Sequence, residues 1–150
     1  MDTVIAFNFA PGFEGTVEQI FSRLKYEINV IESGFCLVKS GSKINLNDFR
    51  PASSVYEVFD YSDDIKSLDI KSKINLKNDK KYKTFNLRYF EDGKPSSLDL
   101  NYRLKLIEEI SRQTALRISA FNPDVDFVLM KRKSELVFFG LKVKIDKSNI

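Results

Sequence analysis

From Lys83 onward the hydrophobic period of the chain changes from two to about four and back again, and that switch limits the folds open to it. Phe85, Leu87 and Tyr89 alternate with Thr84, Asn86, Arg88 and Phe90, the pattern of a strand, which Glu91-Asp92-Gly93 brings to an end. Leu100, Leu104, Ile107 and Ile110 then recur at helical spacing, with Ser96 or Ser97 as the expected N-cap and Asp99 in the first turn. Asn122-Pro123-Asp124 follows as a structural turn. The proline fixes its own φ and pushes Asn122 toward an extended conformation, while the Asn and Asp side chains can bond neighbouring amides. Val125 to Met130 and Leu136 to Ile145 read as closing strands, joined by Lys131-Arg132-Lys133-Ser134.

The first half repeats the mixture. Thr3 to Phe9 reads as a strand broken by Pro11-Gly12, and Val17, Ile20, Phe21 and Leu24 form one apolar face of a helix. Ile28 to Ile31 and Phe35 to Val38 make a hairpin about Ser33-Gly34, and Val55 to Phe59 is a further strand. Strand, helix, strand, strand implies an α+β layer pair with an antiparallel sheet. Residues 60 to 81 have poor periodicity and are expected to hold one helix and a linker. A subdomain boundary falls near Lys77 to Lys81, giving units of 1–78 and 79–150.

Composition narrows the chemistry. With 150 residues, 43% of them apolar, the chain can bury a proper core. It has no histidine and only one cysteine, so the commonest general base, an internal disulfide and a multi-cysteine zinc site are all excluded. Leu136 to Phe139 is far too short an apolar run to cross a bilayer and the N-terminus lacks a basic leader, so a cytoplasmic protein with no membrane partner is expected. Gly12 and Gly15 lack the further glycine of a dinucleotide site, and no phosphate loop is present. Cys36 sits in an apolar run as a small core residue. Asp63-Asp64 lies in the least patterned region, and Glu108 and Glu109 cannot point the same way on a helix. Those pairs and Asp124/Asp126 define no catalytic or metal site.

The net charge of +3 is unevenly placed. Residues 1 to 75 carry 8 Lys+Arg against 11 Asp+Glu, and residues 76 to 150 carry 16 against 10, balances of −3 and +6. A basic half beside an acidic one suits a polyanion-facing module.

Four segments in order carry a family resemblance: Thr84-Phe85-Asn86-Leu87-Arg88, Ile107 to Arg112, Asn122-Pro123-Asp124-Val125, and Val137-Phe138-Phe139-Gly140-Leu141. Together the stretch from about Tyr82 to Ile150 resembles the THUMP domain, an RNA-binding module of tRNA methyltransferases and thiouridine synthetases. Phe9 to Glu14, the helix after it and Gly34-Phe35 resemble the ferredoxin-like domain that often precedes THUMP. Ile145-Asp146-Lys147-Ser148 is similar to the connector leading into the methyltransferase domain of tRNA guanine methyltransferases. The resemblance implies an N-terminal ferredoxin-like subdomain followed by an α/β THUMP subdomain that grips the acceptor end of tRNA or another structured RNA. No S-adenosylmethionine loop and no Asn-Pro-Pro-Tyr motif is present. The chain itself is therefore expected to hold no cofactor, with S-adenosylmethionine belonging to a fused or separate catalytic domain.

Recognition is expected to run through phosphates and shape. The expected RNA-binding residues are Lys83, Arg88, Lys94, Arg103, Lys105, Arg112, Arg117, Lys131, Arg132 and Lys133. Tyr82, Phe85, Tyr89, Phe90 and Phe121 are expected in the core rather than as stacking platforms. A protein-interaction module, pairing through the apolar run Leu136 to Phe139, is the alternative.

Overall fold

The computed structural model describes residues 3–41, 44–70, 74, 76 and 81–144. The expected boundary between residues 78 and 79 and the connector at Ile145 to Ser148 lie outside them. The architecture is mixed α+β. Two compact units divide the chain, one running to Val58 and resuming at Lys142, the other from Phe59 to Leu141.

The first unit contains β1 (Thr3–Asn8), α1 (Glu14–Arg23), β2 (Glu27–Glu32), β3 (Phe35–Ser40) and the start of β4 (Ser54–Ser62). Its strands lie in the order β2-β3-β1-β4, every neighbouring pair antiparallel. Helix α1 thus connects two strands that have β3 between them. Ile5, Phe7 and Phe9 pack with Val17 and Phe21 of α1 in one core. Phe7, Phe21 and Phe49 form its aromatic centre, with ring centroids 4.8, 5.4 and 5.2 Å apart.

The expected α1 stripe is half right. Val17 and Phe21, one turn apart, are buried, whereas Ile20 and Leu24 are 42% and 44% exposed. Only one narrow line of this ten-residue helix meets the sheet, and Ile20 lies about 100° round from Phe21. The hairpin forms as expected. Gly34 has φ +74°, and a Cβ there would stand 3.1 Å from the Phe9 carbonyl oxygen, so glycine suits this turn on both counts. Between β3 and β4, Leu46–Phe49 forms a single 3-10 turn capped by Asn45, whose side chain accepts from the Asn47 amide at 3.0 Å.

The second unit holds the rest of β4, β5 (Thr84–Glu91), β6 (Lys94–Pro95), α2 (Leu100–Thr114), β7 (Arg117–Ile118), β8 (Val125–Lys131) and β9 (Val137–Val143) as far as Leu141. Strand β8 pairs antiparallel with β9 and parallel with β5, with α2 in the crossover. The free side of β5 carries β7 at its start and β6 at its end. Phe85, Leu87 and Tyr89 face Leu106 and Ile110 of α2, with Val125, Phe127, Leu129, Val137 and Phe139 completing the core.

Four expectations are corrected here. Asp99, not Ser96 or Ser97, caps α2, its Oδ2 accepting from the Tyr102 amide at 3.1 Å, because the helix begins only at Leu100 and leaves both serines short of the cap position. The buried line of α2 is Leu106 and Ile110 flanked by Tyr102 and Ile107, while Leu100 and Leu104 are 65% and 55% exposed. The expected stripe is therefore right at Ile107 and Ile110 and wrong at Leu100 and Leu104, Leu104 lying two residues, about 200° on a helix, from the buried Leu106. Third, residues 60 to 70 form no α-helix: β4 runs on to Ser62 and a 3-10 turn at Ile65–Ser67 follows. Ile65, Leu68, Ile70, Ile74 and Leu76 still pack on the core, and Gln113 of α2 binds this segment by donating to the Ile70 carbonyl at 2.6 Å and accepting from the Ile74 amide at 3.1 Å. Tertiary contacts, not an internal helical period, set those apolar positions. Finally, Asn122 is not extended but has φ +48°. A following proline disfavours the right-handed helical region, and asparagine tolerates the left-handed one.

Candidate nucleic-acid interface

Parallel pairing of β5 with β8 sorts the basic side chains into two groups at opposite ends of the sheet. The register runs from Phe85 opposite Val125 to Glu91 opposite Lys131, and Arg117 of β7 lies opposite Thr84. Lys83, Arg117 and the Asn122-Pro123-Asp124 turn therefore share the starting end. Lys94, which lies opposite Glu91 on β6, shares the finishing end with Lys131, Arg132 and Lys133. Seven strand residues separate the groups, roughly 20–25 Å.

The starting end is held by one carboxylate. Asp124 Oδ2 accepts from the amides of Lys83 (2.7 Å) and Thr84 (3.1 Å), and the Asp124 amide donates to Thr84 Oγ1 at 3.1 Å. The Lys83 amide, then the Thr84 amide, hold the Asp124 carboxyl below its ordinary value of 3.8. Because the folded value is the depressed one, the stabilisation is complete above the unfolded value and is lost as pH falls through the folded one. Asp124→Asn should lower the melting temperature at neutral pH and converge with wild type in acid. Thermal melts across pH 2 to 7 would contradict this if the two curves ran parallel.

At the finishing end Lys131 Nζ lies 3.7 Å from Glu135 Oε2, and Lys133 is exposed. The turn closes through the Glu135 amide donating to the Arg132 carbonyl at 3.0 Å, with Glu135 at φ +75°. Tyr89 donates to Glu91 Oε1 at 2.6 Å, and burial, then that hydrogen bond, raise its phenol. Glu91 thus sits between Lys94 and Lys131 in register, so this end mixes charges, with cations in excess.

The remaining candidates are divided. Arg88, on the face of β5 away from α2, binds Asp126 Oδ1 through Nε at 3.1 Å with its side chain half exposed, a pair worth about 0–1 kcal/mol. Arg112 is bonded to the Glu109 carboxylate on the same helix, and Lys105 is exposed. Arg103 is half-buried and donates through Nη1 to the Leu87 carbonyl at 2.8 Å, tying α2 to β5. Arg103→Met keeps the aliphatic stem and deletes that bond, so it should cost about 1–2 kcal/mol. That is a fall of roughly 2–8 °C in melting temperature, and an unchanged melt would contradict the structural role.

Two features escaped the sequence reading. Lys142 and Lys144 are exposed at the end of the chain's last described strand, and with Ser53 and Ser54 they line a cavity of about 360 Å³ in the first unit. Their alternation about Val143, which joins the first core, was the available signal. Phe121, expected in the core, is 88% exposed. Tyr82 and Phe90 are half-buried, whereas Phe85 and Tyr89 are buried as expected.

Cys36 is fully buried, and burial pushes its thiol up to about 12. Among the described residues no three acidic or cysteine side chains come together in a group that could hold a metal ion. No helix among them is long and apolar enough to cross a membrane.

No family model matches the chain, and no curated protein matches it. Solved structures do. TrmN from Thermus thermophilus superposes with a TM-score of 0.64 over 95% of this chain at 12% identity. A 4-thiouridine synthetase in complex with RNA and ATP gives 0.63 over 96% at 16%, and a possible methylase from Clostridium difficile 630 gives 0.62 over 97% at 12%. The chain spans 46%, 42% and 42% of those proteins, respectively. It has the same fold as part of each, along nearly its whole length.

Proposed function

We propose that this chain is an RNA-binding module of the THUMP type that recognises structured RNA, tRNA foremost, for a modification carried out elsewhere. The observation that carries the reading is the fold likeness to a 4-thiouridine synthetase captured with RNA, which extends over 96% of the chain. Cations at both ends of the β5/β8 pair supply the electrostatic attraction such binding needs. In the same reading the first unit is the ferredoxin-like subdomain. Its β2-β3-β1-β4 antiparallel order, with α1 as the crossover, supports this, and the 3-10 turn Leu46–Phe49 stands where a second helix would be.

Of the basic residues, Lys83, Lys94, Lys105, Arg117, Lys131, Arg132 and Lys133 are the proposed phosphate contacts. Arg88, Arg103 and Arg112 are held by protein groups through hydrogen bonds of 3.1, 2.8 and 3.0 Å, tighter than the 3.7 Å pair of Lys131 with Glu135, and contribute less. Catalysis would belong to a fused or separate domain using S-adenosylmethionine, a reading supported by the methylase among the structural relatives. Within this chain the residues only bind and orient.

The assembly alternative relied on Leu136 to Phe139 as a pairing strand. Val137, Phe138 and Phe139 are at most 1% exposed, so those side chains are interior. Gel shifts of the chain with folded tRNA at increasing salt test the proposal. Retarded RNA at low salt that is released as salt rises is the expected result, and no shift at low salt would contradict it.

A further inference from the structure

Phe121 is the most exposed large apolar side chain among the described residues, at 88%, and the loop that carries it is tied at both ends to the start of β5. On one side the Ser119 amide donates to the Phe85 carbonyl at 2.8 Å, and Ser119 Oγ donates to the Phe121 carbonyl at 2.8 Å. On the other, Asp124 grips the amides of Lys83 and Thr84, and its own amide is bonded to Thr84 Oγ1. Between these anchors Asn122 takes φ +48° and Pro123 has a fixed φ. The backbone on either side of Phe121 is thus held in place, yet the ring is left in water, where an apolar side chain gains nothing for the fold.

Its surroundings narrow what it could meet. Exposed Lys83 and Arg117 stand at the same strand end, and Ile118, 45% exposed, adds a second apolar side chain. An apolar ring presented beside cations suits a ligand that is flat and apolar on its faces and anionic along its edge. An unpaired nucleotide has that chemistry, its base able to stack on the phenyl ring while its phosphates meet the cations. A base inside a duplex has both faces already stacked and is closed to this contact.

We infer that Phe121 is a stacking platform for an unpaired nucleobase, so that this end of the sheet selects single-stranded segments within the RNA while the Lys131-Arg132-Lys133 end contacts phosphates without that selectivity. The inference rests on the RNA-binding reading and adds to it a preference that a basic surface alone would not have.

The chain contains no tryptophan, so Phe121→Trp installs a single indole reporter at the site. Its emission should be quenched by a short single-stranded RNA and left nearly unchanged by a blunt RNA duplex of equal length at equal occupancy. Phe121→Ala and Phe121→Leu should each weaken single-stranded RNA binding by about tenfold, and should leave duplex binding within about twofold. The leucine variant separates loss of the ring from loss of apolar volume. Equal quenching by both RNAs, or single-stranded binding by Phe121→Ala equal to wild type, overturns the inference while the RNA-binding reading stands. Failure of the wild-type chain to bind either RNA at low salt overturns both. Circular dichroism spectra matching wild type confirm that the variants are folded.

Discussion

Phe127→Ala should cost about 3–5 kcal/mol, the usual range for removing a buried phenyl ring, and so a large share of the roughly 5–15 kcal/mol that holds an ordinary domain folded. Phe127 is 0% exposed and stands at the centre of the second core. Its ring meets Phe85 edge-on at 5.7 Å, stacks with Phe139 at 5.8 Å and lies 6.1 Å from Phe59. Three strands therefore lose packing at once, and the dense surroundings leave little room for collapse into the gap. At roughly 2–4 °C per kcal/mol for a chain of this size, the melting temperature should fall by about 6–20 °C. Phe121→Ala removes the same side chain from an exposed loop and should stay within about ±0.5 kcal/mol. Thermal denaturation of the two variants side by side checks the contrast, and a Phe127→Ala melt within about 2 °C of wild type would contradict the packing described for this core.

Much of this fold was legible because strand alternation reports burial directly. Phe85, Leu87 and Tyr89 were expected on one face and all three are buried. The two helices were harder. Their existence followed from apolar spacing, but Leu100, Leu104, Ile20 and Leu24 are exposed because each helix meets its sheet along a line narrower than its apolar residues suggest. The segment after β4 was illegible for a different reason: Ile65, Leu68 and Ile70 are positioned by α2 and by the Gln113 side chain, and no local period reveals such a partner. At the candidate interface, sequence identified the cations but not what holds them. Arg103 and Arg88 look like free charges until the Leu87 carbonyl and Asp126 are seen beside them. Phenylalanine ordinarily belongs to a core, and only the positions of the anchors on either side of Phe121 reveal the exception.

Neutralising the turn at the finishing end should have the largest effect on binding. Each phosphate engaged by a cation contributes about −0.7 to −0.9 to the slope of log K against log salt, according to whether the strand is single or paired. If the chain engages about five phosphates, its slope is about −4, and affinity falls by roughly 10²- to 10³-fold between 50 and 200 mM salt. Lys131→Gln, Arg132→Gln and Lys133→Gln together remove three cations from one turn. Loss of the corresponding contacts should reduce the slope by about 2 and weaken binding at low salt by about tenfold to a hundredfold. Lys131 is partly satisfied by Glu135 at 3.7 Å, which keeps the expected change below three full contacts. All three positions lie at or beyond the end of β8, so stability should change little.

The most direct test of an RNA-binding module is the salt dependence of tRNA affinity, measured by titration from 50 to 300 mM for the wild-type chain and for this triple variant. A steep wild-type slope that becomes shallower by about two in the variant is the predicted result. A wild-type affinity independent of salt, or identical slopes and affinities for the two proteins, would contradict it.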